Sequence, residues 1–111
     1  MIGIDLVKVE RIAKVIENKK FLDKTFSKTE IEYARAKGEI NFAQTLAGMF
    51  AAKEAVLKAL GTGIVDLNLA NVEILHSDLG QPYCKLEDGR VVNVSISHDG
   101  GMAVAAAMIV K

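Results

Sequence analysis

NFAQTLAGMFAAKEAVLKALG, residues 41–61, is the stretch on which the fold turns. On a helix of about 100° per residue, Phe42, Leu46, Met49, Phe50, Leu57 and Leu60 form one apolar stripe, the face such a helix must bury. Asn41 with Gln44 three residues on has the form of a helix start. The run then continues unbroken to Leu60, where Gly61 stops it. Ala43, Ala47 and Ala51 make a neighbouring stripe of small side chains, continued by Glu54 and Lys58 one turn apart. Such a surface lets another chain or a ligand approach the backbone, with a carboxylate and an ammonium at its end. The plainer alternative is an i,i+4 pair worth roughly a few tenths of a kcal/mol. Lys53 falls inside the apolar stripe, so its ammonium either snorkels past the core edge or is held by a carboxylate or a phosphate.

Outward from this helix the two halves of the chain differ. Upstream, Met1 to Val7 alternates weakly and reads as an opening strand, and Val9, Ile12, Ala13 and Ile16 recur at helical spacing. Ser27-Lys-Thr-Glu30 has the form of a capping box and opens a short helix ending at Gly38. Downstream, Val72–Leu75, Tyr83–Leu86, Val91–Ser97 and Met102–Val110 read as strands, separated by turn signals at 80–82, Asp88-Gly89 and Gly100-Gly101. The last two have the form of two-residue hairpin loops. Helices first and an antiparallel meander afterwards define an α+β fold, in a single domain spanning residues 1–111.

Half of the residues are hydrophobic and a quarter charged, the profile of a globular rather than a disordered chain. The run from Met102 to Val110 is too short to span a bilayer, so no membrane segment is expected. Residues 1–7 contain Asp5 and lack a basic leader and cleavage site, so they are not expected to be a signal peptide. The single cysteine, Cys84, can form no internal disulfide, which fits a reducing cytoplasm, and no cysteine or histidine cluster suggests zinc. Cys84 reads as a half-buried strand residue without redox work, His76 as an ordinary strand-end histidine, and Phe21 and Phe26 as core anchors. Net charge is zero, yet residues 6–28 carry seven Lys/Arg against three acids, and residues 29–111 seven against ten. The first quarter thus presents either a solvated helix face or a positive surface for an anionic partner. A nucleic-acid partner is not expected, because basic residues are not interleaved with aromatic ones.

Three segments carry a resemblance in order: Gly3-Ile4-Asp5, Phe50-Ala-Ala-Lys-Glu-Ala55 running on to Lys58-Ala-Leu-Gly-Thr-Gly-Ile64, and Ser95-Ile-Ser-His98. Together, along nearly the whole chain, they resemble the 4′-phosphopantetheinyl transferase superfamily, in its short single-domain form. The resemblance implies Mg²⁺-dependent transfer of the 4′-phosphopantetheine arm of coenzyme A to a serine of an acyl carrier protein. Adenosine 3′,5′-bisphosphate would be released, in fatty acid biosynthesis. Asp5 and Glu54 match the two acids that hold Mg²⁺, a donor set this ion accepts alongside phosphate oxygens and water. Lys58 matches the lysine that approaches the phosphates. Phe50, Gly61, Thr62, Gly63, Ile64, Pro82 and His98 match positions that border coenzyme A, and Arg11 and Lys14 match the basic helix that receives the carrier protein. The general base is Glu54 or a metal-bound water.

Relatives often carry an arginine just before Phe50, where this chain has Met49. Either another lysine then supplies that charge or the 3′-phosphate is held less tightly. The hairpin at Asp88-Gly89 is also shorter than in many relatives. The resemblance further implies a homotrimer with sites between subunits, and the alanines of the last strand (Ala103, Ala105–Ala107) fit either subunit packing or a core. The main competing reading is a non-catalytic carrier-protein-binding module that keeps only the basic helix.

Overall fold

The computed structural model describes residues 1–61, 69–86 and 88–109. Strand β1 (Ile2–Lys8) opens the chain, followed by helices α1 (Val9–Val15), α2 (Lys19–Thr25), α3 (Lys28–Ala36) and the long α4 (Glu39–Leu60). After a single 3-10 turn (Leu69–Asn71) come β2 (Ile74–His76), β3 (Pro82–Lys85), β4 (Val91–Asp99) and β5 (Met102–Ile109). The strands form one antiparallel sheet in the order β1-β5-β4-β3-β2, so the expected meander is present and β1 pairs its free edge at β5. The α+β fold is therefore the one anticipated.

Local chemistry sets most element ends. The capping box at Ser27 is formed in both directions: its hydroxyl accepts from the Glu30 N–H at 3.2 Å, and its own N–H donates to Glu30 Oε1 at 2.8 Å. The helix expected through Ile16 instead closes at Val15, and a separate α2 begins because the Asn18 side chain accepts from the N–H groups of Lys20 and Phe21. Helix α4 starts at Glu39, before the expected Asn41. Gly38, at φ 95°, redirects the chain where a side chain would be strained, while the Asn41 amide donates to Lys37 O instead of capping. The Gly100-Gly101 hairpin has two loop residues, both at positive φ. The loop at Asp88-Gly89 is longer than expected, because it closes through Leu86 N–H to Arg90 O at 2.8 Å. Val110, expected to end the last strand, lies outside the described residues.

The core is the interface between α4 and the sheet. Ala47, Ala51, Ala55 and Ala59 are buried there against Ala103, Ala105 and Ala107. The small-residue surface is thus occupied by this chain's own sheet, which corrects its reading as a landing surface for another chain or a ligand. Small side chains are what allow the approach: a Cβ on Gly3 would overlap Ala55 O and lie 2.7 Å from Ala59 N. Cys84 is fully buried rather than half-buried, and burial pushes its thiol up to about 11, which leaves it inert at neutral pH. No helix among the described residues is long and apolar enough to cross a membrane.

Candidate active site

Alternation along β1 points Gly3, Asp5 and Val7 at α4, and Ile2, Ile4 and Leu6 away from it. Because Gly3 lets β1 lie on the α4 backbone, Asp5 is carried to the last turns of that helix. There Lys58 Nζ donates to Asp5 Oδ1 and to Ile4 O, both at 3.1 Å. Glu54 sits one turn earlier on the same face. Its carboxyl is pushed up, first by burial and then by the Asp5 carboxylate, with Lys58 and Arg11 opposing. The structure therefore brings Asp5, Glu54, Lys58 and Arg11 into one electrostatic cluster. No group of three or more His, Cys, Asp or Glu side chains among the described residues could hold a metal. Two carboxylates that repel each other nevertheless fit a hard divalent cation that completes its shell with phosphate and water. Lys14 lies on the exposed side of α1, paired with Glu10 at 3.4 Å.

The other predicted ligands fall elsewhere. A cavity of 380 Å³ opens on the far flank of α4, walled by Thr45, Gly48 and Met49 of that helix, Tyr33 of α3 and Lys37 at its C-terminal cap, and His76, Pro82 and His98 of the sheet. At about 100° per residue, Thr45 and Glu54 point in opposite directions from the helix axis. Pro82 and His98 thus share one cavity, while Asp5, Glu54 and Lys58 share the opposite flank. His98 Nε2 lies 2.9 Å from Gln44 O and 3.0 Å from the position a Cβ on Gly48 would take, so Gly48 keeps room for the imidazole. Phe50 belongs to neither place; its ring packs 6.4 Å from that of Phe21. Gly61 caps α4 at φ 73°, and Thr62, Gly63 and Ile64 lie outside the described residues.

The cavity contains residues that sequence reading gave no role. The His76 ring stacks on Tyr33, centroids 3.8 Å apart and planes 7° from parallel, with Lys37 Nζ 4.9 Å from the Tyr33 centroid. Burial, then the Lys37 charge, pulls the His76 imidazole below its usual range. Tyr33 and Lys37 are spaced i,i+4 at the end of α3 and its cap, a pattern visible in sequence, but nothing local joins them to His76. No acid is among the described lining residues, so the cavity suits an anion.

A family profile described as the 4′-phosphopantetheinyl transferase superfamily matches residues 1–108. The holo-[acyl-carrier-protein] synthase of Clostridium acetobutylicum is 41% identical over 97% of this chain and 94% of its own. That of Fusobacterium nucleatum is 39% identical over 97% and 96%. Among solved structures, the Helicobacter pylori holo-[acyl-carrier-protein] synthase in complex with coenzyme A superposes with a TM-score of 0.86 at 34% identity, covering 99% of this chain and 100% of that one. The Bacillus anthracis enzyme gives 0.85 at 34% identity, covering 97% and 93%.

Proposed function

The chain belongs to the 4′-phosphopantetheinyl transferase superfamily, and on that premise we propose that it transfers 4′-phosphopantetheine from coenzyme A to a serine of an acyl carrier protein as a holo-[acyl-carrier-protein] synthase. The single observation that carries the reading is the convergence of Asp5, Glu54 and Lys58 at the α4–β1 crossing, in a chain whose relatives bear that name. Asp5 and Glu54 would hold Mg²⁺, which supplies charge neutralisation at the diphosphate. Lys58, half exposed, is free to exchange Asp5 for a phosphate oxygen and offset charge that develops in transfer. The serine hydroxyl gives up its proton to Glu54 or a water, its oxygen forms the new bond to the β-phosphorus, the diphosphate bond breaks, and adenosine 3′,5′-bisphosphate leaves. Most of the enzyme's contribution is positioning.

The nucleotide end of coenzyme A fits the acid-free cavity beside Pro82 and His98. Met49 is buried in that wall, and Lys37 is the lysine among the described lining residues, so Lys37 takes the place of the arginine that relatives often carry there. Since cavity and acid cluster lie on opposite flanks of α4, the site is composite: one protomer supplies the cavity, its neighbour the acids. The sheet face away from α4 supports such an assembly. Ile2, Ile4 and Leu6 are 73%, 62% and 61% exposed and lie beside Met108, Ala106 and Val104, an apolar strip that a homotrimer would cover. Arg11 and Lys14, on the α1 surface near the acids, would receive the acidic carrier protein.

Mass spectrometry of an apo-carrier protein incubated with this chain, coenzyme A and Mg²⁺ tests the reading. Gain of one phosphopantetheine that disappears with chelator is the expected result. A carrier protein that binds but gains no mass would favour the non-catalytic module.

A further inference from the structure

Lys53 and Glu30 form an ion pair at 2.6 Å with both side chains 0% exposed, and no step of the proposed reaction uses them. The network around them is complete. Lys53 Nζ also donates to Leu69 O and Val72 O, each at 2.8 Å, so the three donors of an ammonium meet three acceptors. Burial pulls Lys53 down and Glu30 opposes it; with all three hydrogen bonds made, the charged form is the one the site is built for. Glu30 in turn accepts from Ser27 N–H and Ile74 N–H, each at 2.8 Å.

We infer that Lys53 and Glu30 are positioning residues for nucleotide binding, their sealed pair holding three walls of the cavity in register. Each member of the clasp lies close to a lining residue on its own element. Glu30 is nearly one turn before Tyr33 on α3, and Lys53 is one turn after Met49 on α4. Ile74, bonded to Glu30, is two residues before His76 on β2, which places both on the same strand face. A shift of any one partner therefore moves the Tyr33–His76 stack relative to α4. The chain also commits three polar contacts, two of them fully buried, to tying residues 69–74 to these helices, where an apolar contact would hold the core equally well.

The inference rests on the cavity taking the nucleotide end of coenzyme A, and the test separates the two claims. Transfer kinetics are measured for wild type, Tyr33→Ala, Lys53→Met and the double variant Lys53→Met/Glu30→Gln, varying coenzyme A and carrier protein separately, with thermal melts alongside. Lys53→Met is expected to raise KM for coenzyme A by about tenfold, with kcat and KM for carrier protein within about threefold. The double variant should melt above the single one, since it strands no charge. Its KM for coenzyme A should stay raised, because Leu69 O and Val72 O still lack their donor. Wild-type KM in a folded Lys53→Met, or in the double variant should the single one fail to fold, overturns the inference. If Tyr33→Ala raises KM and loss of Lys53 does not, positioning alone falls. If neither moves it, the cavity is not the nucleotide site and both claims fall.

Discussion

Helix α4 carries two lysine–carboxylate pairs five residues apart, and they behave as opposites. Lys53–Glu30 is closed at 2.6 Å with no exposure on either side chain; Lys58–Asp5 spans 3.1 Å with 56% and 17%. In the first, all three Lys53 donors and both Glu30 oxygens are engaged inside the protein. The second faces solvent, beside a second carboxylate whose charge is disfavoured. Sequence chemistry is the same in both. Burial alone separates a fixed structural contact from one that a ligand can displace, because water screens and replaces the open pair and is excluded from the closed one.

The sharpest way to break this contrast is to delete each lysine's charge in turn. Lys53→Met should lower unfolding free energy by about 3–5 kcal/mol, since Glu30 is left buried without its partner. Lys58→Met should stay within about 1 kcal/mol of wild type, while transfer falls by about a hundredfold or more. Urea titrations and single-turnover transfer read the two. Equal stability losses would mean that the pairs are not different in kind.

The open pair should also respond to metal where the closed one cannot. With Mg²⁺ at ten times its Kd, the wild type is expected to gain about 1.4 kcal/mol in unfolding free energy, and Asp5→Asn to gain none. A smaller effect concerns pH. The Glu54 carboxyl is raised above its ordinary value in the folded state, so the native protein binds more protons than the unfolded chain between the two values. Stability contributed there falls as pH rises through that window and stays lower above it. Without metal, Glu54→Gln should therefore be more stable than wild type above the window and not below it, as read by urea titrations at two pH values. The smallest stability effect is expected at Lys14. Its pair with Glu10 is exposed, so Lys14→Ala should change stability by less than about 0.5 kcal/mol. The KM for carrier protein should nevertheless rise severalfold, an increase that added salt erases.

Much of the fold was legible because its signals are local. The Ser27–Glu30 capping box, the Gly100-Gly101 hairpin and the last two strands of the meander formed where residue type and spacing placed them, whereas the strand read at Val72–Leu75 begins only at Ile74 and runs to His76. The misreadings have local causes too: Asn18 restarts a helix after α1, and Gly38 starts α4 earlier than Asn41 would. Within the site, Asp5, Glu54 and Lys58 were named in advance through a resemblance, and their helical spacing put Glu54 and Lys58 on one face. The cavity was only half legible. Pro82 and His98 were anticipated, whereas Tyr33, Lys37 and His76 were not, because an aromatic stack between a helix and a strand leaves no periodic trace.

By itself the sequence determined the long helix and most of the strands, where α4 is apolar, and that Lys53 stands out of place on that face. Only the tertiary structure decided that Glu30 answers Lys53, that the alanine stripe is consumed by the chain's own sheet, and that the predicted ligands part to opposite flanks of α4. The reason is physical: spacing along a chain fixes the direction of each side chain from its own element. What it meets there depends on how elements distant in sequence pack, and on whether that packing shuts water out.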